Sequence, residues 1–115
     1  MKFMFVLHGD EARMLAADPD TIAEMMQAYA AYNDAIEKAG IGFGRNRLRP
    51  SAEADIVEMR NGATTILDGP YADTKERMGG YVLIDVPDRQ TALDWAARCP
   101  AAKVGTIEVR QIWET

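Results

Sequence analysis

Cysteine, histidine and serine each occur once in this chain, as Cys99, His8 and Ser51. One cysteine excludes an intramolecular disulfide, and one cysteine with one histidine cannot build the usual multi-Cys or multi-His metal sites within a chain. No metal is expected on these grounds. Ser51 sits in Pro50-Ser51-Ala52-Glu53 rather than in a Gly-x-Ser-x-Gly elbow, which argues against a typical serine hydrolase. No apolar run approaches the roughly 18 residues of a membrane span, so no membrane partner is expected. Positive charge is also short: 13 Lys and Arg stand against 18 Asp and Glu, for a net charge of −5. Such a field repels phosphate backbones and argues against nucleic acid as a partner. The opening run Met1 to Asp10 lacks a small-residue cleavage site and reads as a first strand rather than a signal peptide, so a cytoplasmic location is expected.

What is there, 48% apolar and 27% charged over 115 residues, is ordinary globular composition and suits one domain over residues 1–115. From Lys2 to His8 both alternating faces are apolar, with Phe3, Phe5 and Leu7 on one and Met4, Val6 and His8 on the other. A long helix follows, with Asp18 as N-cap, Pro19 at its first position, and Lys38 and Gly40 at its end. Ile22, Met25, Met26, Tyr29, Tyr32 and Ile36 recur near a 3.6-residue period and are its expected buried stripe.

The chain then turns extended from Ile41 to Leu48, breaks at Pro50-Ser51, and runs as a strand from Ala54 to Arg60. Asn61-Gly62 tolerates positive φ and predicts a hairpin back onto Ala63 to Leu67. A charged loop from Asp68 to Met78 leads through Gly79-Gly80 into a strand from Tyr81 to Val86, again apolar on both faces. Asp88 caps a second helix that Pro100 ends, and Thr106 to Trp113 reads as the last strand. Without the hairpin, the order is strand, helix, strand, strand, helix, strand. This predicts an α+β fold of ferredoxin-like arrangement, two helices on one face of an antiparallel sheet with an extra β-hairpin. Two helices cover one face only, so the second apolar face predicts a homodimer with sheets packed face to face.

The most distinctive run is Asp68-Gly69-Pro70-Tyr71-Ala72-Asp73-Thr74-Lys75-Glu76-Arg77-Met78-Gly79-Gly80-Tyr81, longer and more charged than a hairpin connection needs. It resembles the signature of the YCII-related proteins, in the branch named for an Asp-Gly-Pro-Phe (DGPF) motif. Tyr71 stands where Phe is usual and Asp73 where Glu is usual. The opening strand to Glu11, the segment Gly40 to Pro50 and the closing segment Pro100 to Trp113 resemble the family too, so the whole chain is covered. The resemblance implies a dimeric α+β barrel and supplies no reaction, although a His-Asp active-site pair has been proposed in some relatives. Members of the branch also resemble proteins encoded beside ECF-type sigma factors, which implies a possible partner of that kind.

His8 at a strand end suits a general base if a carboxylate orients its ring, and Asp68 is the expected partner; the alternative is an imidazole satisfied by backbone. Asp68 equally suits a turn-forming role in Asp-Gly-Pro. Lys75 and Glu76 suit an anionic or enolic ligand, or a solvated charge run. Arg45, Arg47 and Arg49 alternate on one strand and share a side, with Arg47 the expected pocket member and Tyr71 a further ligand contact. Cys99, before Pro100, reads as a buried structural thiol. Gly40, Gly42 and Gly44 enter a strand rather than opening a helix, so phosphate binding is not supported. Two function classes follow. One is a small-molecule pocket with acid–base catalysis that needs no cofactor, Lys75 or Arg47 stabilising a developing oxyanion. The other is a non-catalytic ligand-binding or regulatory module.

Overall fold

The structure, a computed structural model, describes residues 1–114. It is a mixed α+β fold with antiparallel sheets and, among the described residues, four helices. Strand β1 (Lys2–Asp10) leads into a short helix α1 (Glu11–Leu15) and then the long α2 (Pro19–Ala39). Strand β2 (Gly42–Arg47), a 3-10 turn (Ser51–Glu53), the hairpin β3 (Asp55–Arg60) and β4 (Ala63–Asp68), and β5 (Glu76–Asp85) follow. Helices α3 (Arg89–Arg98) and α4 (Ala101–Val104) precede the last strand, β6 (Thr106–Gln111).

The caps act where the sequence places them. The Asp18 carboxylate accepts the Thr21 N–H at 2.8 Å and Asp88 accepts that of Thr91 at 2.8 Å, so each satisfies a donor that has no partner inside its helix. Gly40 ends α2 at φ +68°, the left-handed conformation that glycine adopts without strain. Asn61 and Gly62 both have positive φ and close the β3–β4 hairpin.

The main sheet has the order β2-β5-β1-β6, all antiparallel, and β3–β4 forms a separate two-stranded sheet. Phe3 pairs with Ile84 and Phe5 with Val82. Their side chains join Tyr32, Ile36, Ala92, Ala96 and Cys99 in the core, between the sheet and the helices. The opposite face carries Met4 between Leu83 and Arg110, Val6 between Tyr81 and Glu108, and His8 between Met78 and Thr106. Val6 is buried, but none of these joins the cluster under the helices.

Two expectations need correction. The helix stripe is covered only along its C-terminal half: Tyr32 and Ile36 are buried, but Ile22 and Met26 are exposed. The loop expected to run to Met78 is shorter, because β5 begins at Glu76 and pairs with Asp10 and Gly9 of β1. Charge hides this strand start from a hydrophobic pattern, whereas backbone pairing does not depend on it. No helix among the described residues is long and apolar enough to cross a membrane.

Candidate functional site

His8 lies next to an irregularity in the sheet. Leu7 pairs with Gly80 but His8 with Met78, so Gly79 is an extra residue on β5, and a bulge of this kind re-aims neighbouring side chains. Its Nε2 is 3.4 Å from the Glu108 carboxylate on the neighbouring β6. One strand position away, the Thr106 hydroxyl donates to Glu76 at 3.1 and 3.2 Å. Asp10, two residues beyond His8 on the same side of β1, faces Glu76 in register and lies 3.8 Å from the Lys75 ammonium. Farther along this face the Asn46 amide donates to the Tyr81 hydroxyl at 2.7 Å.

The uncovered side of the sheet therefore carries an imidazole–carboxylate pair, a hydroxyl–carboxylate pair and a tyrosine. Apolar Met4, Val6 and Leu83 continue it. With its Nε2 proton directed at Glu108, the ring would present Nδ1 as an acceptor, as general-base chemistry requires. Tyr81, accepting from Asn46, keeps its own proton to donate.

The expected site residues separate into two groups. His8, Glu76 and Lys75 gather at the β1–β5 end of this face. Asp68 faces Asp55 across the β3–β4 hairpin, and among the described residues no hydrogen bond or ion pair joins it to His8. Tyr71 is 84% exposed. Arg45 and Arg47 pair with Val82 and Gly80 and so lie on the helix-covered side, where Arg47 acts on the Tyr29 phenol. Arg49 lies past the strand and binds Glu53 at 2.8 Å. Glu108, Thr106, Asn46 and Tyr81 escape the sequence reading, since only strand register brings Glu108 and Thr106 beside His8 and places Tyr81 and Asn46 farther along the same face.

Behind the motif, Glu11 accepts both the backbone N–H of Ser51 at 2.9 Å and its hydroxyl at 2.7 Å. These bonds, first the side-chain one, hold the Glu11 carboxyl below its ordinary range. The lone serine thus ties the 3-10 turn to the start of α1. Cys99 is buried, and burial pushes its thiol up, which keeps it protonated and inert. Tyr29, near it, is pushed up to about 12, chiefly by burial. Between α2 and the α3–α4 segment lies a cavity of about 470 Å³ lined by Met25, Ala28, Tyr32, Arg98 and Lys103. A smaller one of about 110 Å³ adjoins Ile36, Gly42 and Arg45. Neither includes His8. Among the described residues, no group of three or more His, Cys, Asp or Glu is arranged to hold a metal ion.

Comparison with known proteins agrees with the YCII-related resemblance. The family description of a YCII-related domain matches residues 1–115. An uncharacterised protein of Rhizobium meliloti (strain 1021) is 30% identical over 114 residues, covering 97% of this chain and 92% of the relative. The chain belongs to the YCII-related domain family.

Proposed function

We propose that this protein is a homodimer whose uncovered sheet faces pack together around a small-molecule site, where His8 acts as a general base without a cofactor. The observation that carries this reading is the 3.4 Å contact of His8 with Glu108 on a sheet face that no helix covers. The order β6-β1-β5-β2, with helices on one side, supports a ferredoxin-like single domain with β3–β4 as the extra hairpin. Pairing two such sheets gives the dimeric α+β barrel. The run Asp68 to Tyr71 supports the Asp-Gly-Pro-Phe branch, with Asp68 as the turn former beside Gly69-Pro70.

In this mechanism Glu108 orients the imidazole and compensates the positive charge it gains when Nδ1 takes a substrate proton. Tyr81 or Lys75 donates to the oxyanion that develops. A sheet partner excludes water and strengthens each of these interactions. Small enolisable 2-oxo acids and activated esters are the substrates to screen. His8→Asn is expected to lower turnover by about 100-fold or more while leaving the dimer intact. Unchanged turnover in that variant rejects His8 as the base.

A regulatory or ligand-binding module, including one that meets an ECF-type sigma factor, is the second reading. Tyr71 favours it, because an aromatic side chain 84% exposed beside a charged loop suits a protein contact. Ligand binding without turnover in the unaltered protein decides for it.

A further inference from the structure

The β3–β4 hairpin lacks what keeps a hairpin folded. Two strands alone are marginal in water unless one face is packed. Here Val57 faces Ile66 and Met59 faces Thr64 on one side of the ribbon. Val57, Met59 and Ile66 are 65%, 69% and 67% exposed. Among the described residues the ribbon pairs with no other strand. Its root alone is tied, by the Gly69 N–H to the Ala54 carbonyl at 2.7 Å and by Glu11 holding Ser51.

The whole chain shares this openness. Its radius of gyration is 16.2 Å and its extents are 47 × 44 × 18 Å, where a compact chain of this length has a radius of about 13 Å. It exposes 8262 Å², against about 6,200 Å² for a compact monomer of this mass. The excess of about 2,000 Å² matches what each partner gives up in a large obligate interface.

We propose that the hairpin is an intersubunit arm whose Val57, Met59 and Ile66 face packs on a second copy of this chain, with the second copy's arm packing reciprocally. The proposal rests on the dimer reading above and adds a contact to it. The arm leaves the sheet between β2 and β5, at the end where His8 lies. Residues 55–68 hold three acids and one base, which disfavours an anionic lipid surface or nucleic acid as the occupant. The base, Arg60, is already bound to Glu58 at 2.8 Å.

The test is the dimer dissociation constant by light scattering over a concentration series, for the unaltered protein and for Val57→Asp with Ile66→Asp. Both side chains are exposed in the protomer, so far-UV circular dichroism should be kept. The variant is expected to dimerise about 100-fold more weakly. A single Met59→Lys substitution should weaken it by about 10-fold and covers the case in which the double variant does not fold. Amide exchange should show residues 55–68 protected in the unaltered dimer and unprotected in the variant. Equal dissociation constants and equal protection overturn the arm while leaving the dimer standing. An unaltered protein that stays at 12.7 kDa overturns both and leaves the arm to a partner of another kind.

Discussion

Replacing Gly105 by alanine tests the packing that brings Glu108 to His8. Gly105 joins α4 to β6, its N–H bound to the Ala101 carbonyl at 2.8 Å. Its φ of −153° lies outside the left-handed region that favours glycine. Space is the constraint: an added Cβ would fall well inside contact with the His8 carbonyl oxygen and 3.1 Å from the Gly9 Cα. Both neighbours are backbone of β1, which cannot swing aside as a side-chain tip does. The strands must part or α4 must shift, at the upper end of the 1–3 kcal/mol that overpacking costs. For a chain of this length 1 kcal/mol moves the melting temperature by about 4 °C, so a drop of about 10 °C is expected. Gly79→Ala is the control, since nothing lies within 4 Å of the added Cβ and its φ is not positive. Melts of both variants at one fixed protein concentration, which removes the effect of assembly, decide the matter. Gly105→Ala melting within about 2 °C of Gly79→Ala would overturn this packing account.

Other expectations follow from burial and charge. Phe5→Ala removes a fully buried ring and should cost about 3–5 kcal/mol in urea titration, whereas Phe43→Ala, at a site 47% exposed, should cost far less. Tyr29 is raised from 10.0 to about 12, so it contributes stability that is complete below pH 10 and lost as pH rises toward 12. Tyr29→Phe should flatten that alkaline loss in thermal melts, and an unchanged alkaline limb would count against it. Glu11 is held below its ordinary 4.5 by Ser51, so its contribution is present above 4.5 and lost as pH falls below it. Ser51→Ala should lower stability by about 1 kcal/mol at neutral pH, the low end for a bond to a solvent-screened carboxylate. The deficit should shrink in acid, and equal deficits at both pH values would contradict it.

Part of the candidate cluster is legible in the sequence. A histidine before Gly9-Asp10 and the charged run beginning at Asp68 are visible as oddities of composition, and His8, Lys75 and Glu76 do converge. Asp68 was the natural partner to name because the motif is conspicuous. Glu108 is 100 residues from His8 and sits in an unremarkable alternating strand. Helix α1 and helix α4 also escaped, being too short to show a period. The uncovered Ile22 and Met26 show the reverse error: the stripe is real, but periodicity records which residues are apolar and not which of them a neighbour covers.

Whatever depends on adjacent residues can be read from the chain alone. Asp18 with Pro19 starts a helix, Gly40 ends it in a left-handed turn, Asn61-Gly62 reverses a strand, and alternation divides Phe3 and Phe5 from Met4 and Val6. These are short-range effects of sterics and hydrogen bonding, complete within a few residues. The register of β1 between β5 and β6, which places Glu108 against His8 and sends Arg47 to the opposite side, is set by the assembled fold. The same assembly leaves β3–β4 outside the main sheet. Register and cover arise from packing among residues far apart in the chain, where many pairings satisfy the same local pattern and the buried core selects among them.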